Sequence, residues 1–428
     1  MSVTDKSIKI LMIEDDLTLC ELVGSILVKK GYVFSYHNSI DGAIERVKEA
    51  SPDLIIMDLH FPDGNGLHLC KLMKDNEELS GVPILVLTTR DYPVEKQIAM
   101  SCGVTEFFNK PVDYSKFADK IDEILGDAIE IKFWGVRGST PCPGNEYTHF
   151  GGNTTCVQIK IPGQDKLLIL DAGSGIRVLG DDLVKSNKKI TGRIFFTHAH
   201  WDHIQGFPFF KPLYSSQNLF EIHMPPQMAG NTKDVLLDQM SYTYFPVTSM
   251  MLQARLEYFT QIHSVQHYDG YSIQYMSANH PVETAIYKIR CGKKTIIFCP
   301  DNELNTDHSD AQGEENPFLA RFDEFVSDAD VLIHDAQFNR QVYQHKKNWG
   351  HSAWEIVVER AIANNVKQLI LTHYDPDSND QYLHEVSEKL EEMVSGTGIH
   401  VEMAREGQNF LLQAGHTEFT NSATKQKN

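Results

Sequence analysis

The segment 193–203, RIFFTHAHWDH, begins as an apolar strand and ends in four potential metal ligands within six residues. His198 and His200 are two residues apart, so both can project from the end of the strand toward one ion. Asp202 and His203 lie on the following turn and can face a second ion. Imidazole nitrogen and carboxylate oxygen are typical zinc ligands. The segment therefore predicts a metal centre at the end of a buried strand.

Three later positions supply further candidate ligands, each just outside an apolar stretch. They are His280 in SANHPVETAIYKI, Asp301 in TIIFCPD and His373 in LILTHYD. Each zinc ion in a protein usually takes three or four ligands. Because the segment 193–203 alone cannot supply two such sets, we expect these three residues to complete the centre.

The combined pattern resembles the metallo-β-lactamase superfamily over residues 130 to about 415. The resemblance implies an αββα sandwich that binds two divalent transition-metal ions, with Zn, Mn and Fe as the candidates. Two ions that share a carboxylate and a bridging hydroxide give a nucleophile at neutral pH, so the expected activity is hydrolysis. The implied ligands are His198, His200 and His280 for one ion, Asp202, His203 and His373 for the other, and Asp301 between them.

Three segments, HPVETAIYKI, VLIHDAQF and WGHSAWEIV, resemble the phosphodiesterase branch, which includes the tRNA 3′-processing endonuclease and compact cyclic-phosphate diesterases. The resemblance implies a histidine that is not a ligand and assists the leaving group: His351, or else His334. Asp335 would orient one of them, and Asp202 would serve the reaction as well as the metal. The alternative is that both histidines are structural or cap a helix.

Asp171 ends the strand in LLILDAGSGI and is predicted to orient a ligand histidine, while the glycines beside it are expected to serve only the turn. Twenty residues separate His280 from Asp301, which fits two strands joined at CGKK and leaves no room for the long insertion common in tRNA endonucleases. A small phosphodiester such as a cyclic nucleotide is the favoured substrate. Trp201 and the run GFPFFKPL at 206–213 could stack a base, although core packing is the expected role.

Two alternatives to a phosphodiesterase stay open at this point. A lactonase, thioesterase or β-lactamase-like hydrolase could use the same two ions. A signalling module without enzymatic activity could use the ions only for structure.

Residues 8 to about 126 alternate short apolar strands with amphipathic helical stretches, which predicts a doubly wound α/β unit with a parallel sheet. The predicted strands are IKILMI, YVFSY, LIIMD, PILVL and TEFF. In such sheets functional groups collect beyond the carboxyl ends of the strands. The candidates there are Asp15 and Asp16 after the first strand, Asp58 after the third, Thr88 at the end of the fourth and Lys110 after the fifth.

Three converging carboxylates repel one another unless a hard cation such as Mg²⁺ lies between them. With the turn KPVD after the last strand, the arrangement resembles the response-regulator receiver of two-component systems. The implied roles are phosphoacceptor for Asp58, Mg²⁺ binding for Asp15, Asp16 and Asp58, switching for Thr88 and Phe107, and phosphoryl binding for Lys110. The phosphoryl group would come from a separate sensor histidine kinase or phosphotransfer protein, and pairing with a second receiver would make a homodimer.

The pattern changes near residue 127, so we expect a receiver domain at 1–126 and a hydrolase domain at 127–428. The chain has 39 Lys and Arg against 58 Asp and Glu, a formal charge of −19, which disfavours an extended nucleic-acid interface. Its seven cysteines form no CxxC pair and are expected to be reduced core residues. Neither a secretory leader nor an 18-residue apolar run is evident, so a cytoplasmic protein without membrane contact is predicted.

Overall fold

A five-stranded parallel sheet forms the first part of the computed structural model, which describes residues 8–76, 79, 82–89, 93–126, 129–304 and 316–412. The strand order is β2-β1-β3-β6-β7. The elements are β1 (Lys9–Ile13), α1 (Leu17–Lys29), β2 (Val33–His37), α2 (Ala43–Ala50), β3 (Leu54–Met57), β4 (His60–Phe61), β5 (Gly64–Asn65), α3 (Gly66–Asp75), β6 (Ile84–Thr88), α4 (Pro93–Ser101), β7 (Glu106–Asn109) and α5 (Tyr114–Gly126).

Helices cover both faces of this sheet, because its central strands are apolar on both sides. All four residues of β3 are buried. One apolar cluster joins the sheet to α2, α3 and α4, and another joins it to α1 and α5. The five predicted strands and the doubly wound arrangement are confirmed, and all strand pairs of the sheet are parallel.

Two seven-stranded sheets follow. The first has the order β13-β12-β11-β10-β9-β8-β21. Its elements, in chain order up to the second sheet, are β8 (Ile129–Gly135), β9 (Cys156–Lys160), β10 (Leu167–Leu170), α6 (Gly175–Leu183), β11 (Thr191–Phe195), α7 (Trp201–Ile204), β12 (Leu219–Met224), α8 (Thr232–Asp238) and β13 (Arg255–Thr260).

The second sheet has the order β14-β15-β16-β17-β18-β19-β20. The remaining elements are β14 (Gln266–Tyr268), β15 (Tyr271–Ser277), β16 (Ala285–Cys291), β17 (Lys294–Cys299), α9 (Pro317–Val326), β18 (Val331–Asp335), α10 (Arg340–Tyr343), α11 (Trp354–Ala363), β19 (Gln368–Thr372), α12 (Asp380–Val394), β20 (His400–Met403) and β21 (Asn409–Leu412), which returns to the first sheet.

The two sheets pack face to face over one apolar core. Phe133 and Phe195 from the first sheet and Tyr287 and Phe298 from the second belong to this core and are fully buried. The outer face of the first sheet packs on α6 and α8, and that of the second on α9, α11 and α12. The predicted αββα sandwich is thereby confirmed. The turn predicted at CGKK is the β16–β17 hairpin, in which Cys291 pairs with Lys294.

The receiver-like unit contacts the sandwich at the end where β3 begins. Lys293, in the β16–β17 turn, lies 3.0 Å from Asp53 Oδ1 and donates to the carbonyl oxygen of Ser51. Gly103 lies beside β14, where a Cβ on it would be 3.7 Å from the Tyr268 carbonyl oxygen. The contact therefore lies at the opposite end of β3 from Asp58, which follows that strand.

Candidate metal centre

The first four candidate ligands are delivered by the end of β11. This strand lies between β10 and β12 in parallel register and is buried along most of its length. The chain stays extended as far as His200, which precedes α7. His198 therefore projects from the extended segment, while Asp202 and His203 lie on the first turn of α7 and are buried.

The other three candidate ligands come from loops of the second sheet. His280 lies between β15 and β16, Asp301 directly follows β17, and His373 directly follows β19. The carboxyl ends of the parallel strands β17, β18 and β19 meet at one edge of the sheet. Because the sheets face each other, this edge lies against the end of β11.

All seven candidate ligands come together there. The donor atoms of His198, His200 and His280 lie within 4.8 Å of one another, as do those of Asp202, His203 and His373. Asp301 lies between the two sets: its Oδ1 is 3.9 Å from His198 Nε2, and its Oδ2 is 3.0 Å from His203 Nε2 and 3.4 Å from His373 Nε2.

The protonation states of His198, His280 and Asp301 suit metal binding. Burial holds the pKa of His198 well below its usual value and lowers that of His280 to about 4, so both rings are neutral with a free lone pair. Burial opposes ionisation of Asp301, but the surrounding histidines hold its pKa well below the ordinary value. Among the described residues, buried His198 Nε2 and Asp301 Oδ2 have no hydrogen-bond partner. Such orphaned atoms fit two divalent ions.

Groups behind the ligands hold them in place. Asp171 Oδ2 lies 2.8 Å from His203 Nδ1, and Asp171 Oδ1 accepts from the Thr197 backbone N–H at 2.7 Å. Asp171 is held in the left-handed region, at φ 58°. The contact between Asp171 and His203 Nδ1 directs His203 Nε2 toward Asp301. The Ser139 backbone N–H donates to Asp202 Oδ2 at 2.7 Å. Thr197 and Ser139 carry no sequence signal that separates them from other small polar residues.

Glu303 is a further buried group that the sequence patterns missed. Its carboxylate accepts from the Tyr343 hydroxyl and the Asn348 backbone N–H at 2.9 Å, and from the Gly350 backbone N–H at 3.0 Å. The Gly350 carbonyl oxygen in turn lies 3.0 Å from His280 Nδ1. Glu303 thus fixes the loop that orients a candidate ligand. Its position two residues after Asp301 was the available signal.

His351 and His334 occupy different places. His351 joins Asp301 and His280 in a third group of close donor atoms. Its Nδ1 lies 3.5 Å from Asp335 Oδ2 and 3.8 Å from Asp301 Oδ1. His334 is fully buried in β18, with Nδ1 2.9 Å from the Asp335 carbonyl oxygen and Nε2 3.3 Å from the Asn302 amide. The structure brings His351, and not His334, to the candidate ligands.

The core packing expected for Trp201 and its aromatic neighbours is found for only some of these residues. Phe207 and Phe210 are fully buried, but Trp201 is 79% and Phe209 51% exposed. The reason is local. Trp201 begins α7, and the inward side of that single turn is taken by Asp202, His203 and Ile204.

The receiver-like unit has its own cluster. Lys110 Nζ lies 2.7 Å from Asp58 Oδ2 and 2.6 Å from Glu14 Oε2. Glu14, Asp15 and Asp58 form a group of close carboxylates that could hold a cation. The prediction for Asp16 needs correction. Its side chain accepts from the Leu19 backbone N–H and caps α1, so Glu14 takes the place beside Asp15 and Asp58 that was predicted for Asp16.

Burial raises the pKa of Glu14 to about 7, although the Lys110 ammonium opposes this rise. Thr88 is fully buried at the end of β6, and its Oγ1 has no hydrogen-bond partner in the described part of the chain. Phe107 is buried in the neighbouring strand β7. The Lys110–Pro111 peptide bond, in the KPVD turn, is cis.

Comparison with known sequences identifies two families along the chain. Residues 10–122 match the response regulator receiver domain, and residues 168–374 match the beta-lactamase superfamily domain. The sensory transduction protein BceR of Halalkalibacterium halodurans is 35% identical over 134 residues, which are 29% of this chain. The chain spans 56% of the length of that relative.

Two solved structures resemble the sandwich. The metallo-beta-lactamase fold protein YhfI of Bacillus subtilis is 18% identical, with a TM-score of 0.48 over 67% of this chain and 100% of YhfI. Human tRNase Z, short form, is 18% identical, with a TM-score of 0.44 over 65% of this chain and 98% of its own. Within the described residues, no helix is long and apolar enough to cross a membrane.

Proposed function

Since the chain joins a response regulator receiver domain to a beta-lactamase superfamily domain, we propose that it is a response regulator whose output is a metal-dependent phosphodiesterase. Residues 1–126 form the receiver and 127–428 the hydrolase, which acts on a small phosphodiester such as a cyclic nucleotide. The observation that carries the proposal is the position of Asp301, between two sets of histidines and carboxylates and 3.8 Å from His351.

When bound, two divalent ions lower the pKa of water and stabilise negative charge on the attacking and leaving oxygens. The residues of the chain prepare this chemistry. His198, His200 and His280 hold one ion, and Asp202, His203 and His373 the other. Asp301 lies within reach of both sets, and its ionised state suits a shared ligand. Asp171 fixes the ring of His203.

His351 handles a proton in this proposal. Asp335 Oδ2 lies 3.5 Å from His351 Nδ1 and orients the ring, so that Nε2 serves as the proton donor to the leaving oxygen. A phosphodiester with an alkoxide leaving group needs that proton, and so does a lactone, whereas a thioester expels a thiolate and needs it less. The contact of His351 with Asp335 therefore favours esters with an alkoxide leaving group, phosphodiesters among them, over thioesters.

The first test uses bis(p-nitrophenyl) phosphate with purified protein loaded with Zn²⁺ or Mn²⁺. We expect turnover, and its loss in Asp301→Ala, while Asp238→Ala, an exposed carboxylate of α8, retains the wild-type rate. His351→Gln should reduce kcat for an alkyl ester far more than for a p-nitrophenyl ester, because p-nitrophenolate leaves without a proton. No turnover by the metal-replete protein would refute the proposal.

A parallel assay decides between hydrolase classes. Lactone, thioester and phosphodiester substrates are compared at equal concentration, and we expect turnover to be concentrated in the phosphodiester. A lactone or thioester rate that exceeds it would assign the site to that class. If no substrate is hydrolysed but phosphorylation recruits a partner protein, the output is a signalling module.

The receiver cluster supports control by phosphorylation of Asp58. Lys110 lies 2.7 Å from that carboxylate and can stabilise a phosphoryl group on it, with Mg²⁺ held by Glu14 and Asp15. The donor would be a separate histidine kinase or phosphotransfer protein. Turnover is measured with and without acetyl phosphate, in the wild type and in Asp58→Ala. Equal rates in all four cases would argue against regulation within the chain.

A further inference from the structure

Two exposed tryptophans lie next to the contact between His200 and His280. His200 Nδ1 and His280 Nε2 are 3.2 Å apart. Trp201 directly follows His200, and its side chain is 79% exposed. Trp349, which is 59% exposed, directly precedes Gly350, whose carbonyl oxygen lies 3.0 Å from His280 Nδ1. Trp201 is thus the direct neighbour of one candidate ligand, and Trp349 is the direct neighbour of a residue that contacts another.

The exposure of both rings needs a reason, because tryptophan is a large side chain that gains much from burial. The neighbouring Phe207 and Phe210 show that the same stretch of chain buries aromatic residues completely. Large apolar side chains left in water beside a cluster of candidate metal ligands are characteristic of ligand-binding surfaces. The position of the two rings therefore favours a ligand that covers them.

Trp349 stands on a fixed backbone. Glu303 accepts hydrogen bonds from the backbone N–H groups of both its neighbours, Asn348 and Gly350. Both neighbours adopt positive φ, 68° and 85°, so the tryptophan lies in a tightly specified turn. A ring presented in this way loses little conformational freedom when a ligand stacks on it.

The loop that carries Trp349 is basic, although the chain as a whole is acidic. Lys346 and Lys347 precede Asn348, while the whole chain has a formal charge of −19. Lys346 Nζ lies 5.4 Å from the Trp349 ring centroid and 3.2 Å from Asp375 Oδ2. Positive charge next to an exposed aromatic ring suits a ligand that combines an anionic group with a flat ring.

We infer that Trp201 and Trp349 bind the nucleobase of the substrate, which makes that substrate a nucleotide. The inference rests on the proposed function for the phosphodiester that occupies the metal centre. Base–aromatic stacking tolerates every base because each has a π-face, so these two residues select nucleotides as a class and not one base.

The test measures binding to the full-length, Zn²⁺-loaded protein by isothermal titration calorimetry, with adenosine monophosphate and ribose 5-phosphate as the two probes. Both carry the same phosphate, so their difference isolates the base. Stacking contributes about 1–3 kcal/mol per base, so we expect the nucleotide to bind about 5- to 150-fold more tightly. Trp201→Ala and Trp349→Ala should each reduce this ratio, and Trp201→Phe should retain most of it.

Tyr36→Ala, an exposed aromatic residue of the receiver, is the matched control and should leave the ratio unchanged. Equal affinity of the wild type for both probes would overturn the inference even if phosphodiesters are hydrolysed. A clear ratio without any hydrolysis would instead keep the base site and refute the proposed function. Sedimentation velocity tests whether a second copy of the chain packs on the two rings instead. If Trp201→Ala dissociates a dimer and the affinity ratio of the two probes stays constant, the rings form a subunit interface and the inference fails.

Discussion

Lys74 is a buried charge at the contact between receiver and hydrolase, and its replacement gives a quantitative prediction. The residue lies near the end of α3 with only 4% of its surface exposed, and its Nζ donates to the Val82 carbonyl oxygen at 2.8 Å. Burial lowers the pKa of its ammonium group from 10.5 to about 8, and the surrounding ionisable groups include Cys70 of the same helix and Cys291 of β16.

The direction in which stability changes with pH follows from proton linkage. Below pH 8 the ammonium is charged in both folded and unfolded chains, so the folded protein bears the full cost of burying it. Between pH 8 and 10.5 the unfolded chain binds more protons, so stability rises with pH. At about 1.4 kcal/mol per pH unit, the lowered pKa of Lys74 corresponds to about 3 kcal/mol. Lys74→Met removes this cost but leaves the Val82 carbonyl without its donor, which costs about 1 kcal/mol.

We therefore expect Lys74→Met to raise the free energy of unfolding of the receiver by about 2 kcal/mol at pH 7. This gain should disappear near pH 10, where the free energy of unfolding of the wild type has risen to that of the variant. Urea denaturation across this pH range measures the difference, and Lys188→Met, at an exposed position, is the control. An NMR titration of ¹³C-labelled lysine, assigned by the signal missing in the variant, gives the pKa of Lys74 directly. Parallel stability curves with a Lys74 pKa near 10.5 would refute the reasoning.

Two further predictions concern groups around the candidate metals, and a third concerns the contact between the domains. Asp171→Asn should weaken zinc binding about 10- to 100-fold in a chelator competition, because the contact that orients His203 is altered; unchanged affinity would contradict that role. Gly350→Ala should lower activity and thermal stability together, since its Cβ would lie 2.2 Å from His280 Nδ1 at a φ of 85°, and a neutral effect in calorimetry would show that the loop can shift. Lys293→Ala should change stability by less than about 1 kcal/mol, because its partly exposed pair with Asp53 is screened by solvent; a larger loss in urea denaturation would mean that this pair holds the domains together.

The ligand set was predictable because its chemistry is written into short segments. An apolar strand followed by HAHWDH has few structural explanations, and His280, Asp301 and His373 each follow or flank an apolar stretch. The receiver strands were equally clear, since a sheet buried on both faces needs continuous apolar runs. In both cases the residue types themselves specify the structure.

The predictions that failed concern residues whose surroundings change when the chain is shifted by a single residue. Asp15 and Asp16 look equivalent after β1, but the start of α1 needs a side-chain cap and Asp16 supplies it, which leaves Glu14 beside Lys110. Trp201 and Phe207 belong to one aromatic stretch, yet only the direction of the short helix α7 determines which of them is exposed. The position two residues after Asp301 hinted at Glu303, but its role could not be derived from sequence, because its three donors lie 40 to 47 residues further along the chain.

One helix of the receiver touches both Asp58, the proposed phosphorylation site, and the second domain. α3 begins at Gly66, where a Cβ would lie 2.0 Å from the Asp58 carbonyl oxygen, and this ten-residue helix ends at Asp75, beside the contact with the sandwich. There Gly103 adjoins Lys74 and Tyr268, and the Tyr268 ring lies 4.3 Å from the guanidinium of Arg193 in β11.

β11 is the strand that leads into His198. Contiguous packing of this kind is a route for coupling only if both sites bias the same two arrangements. A phosphoryl group at Asp58 that moves the start of α3 must therefore also change the packing of Lys74 against β14 and β16. For this reason the buried ammonium is a sensitive place to look for regulation: a pKa of Lys74 that differs between phosphorylated and unphosphorylated protein would report that the signal crosses the domain contact.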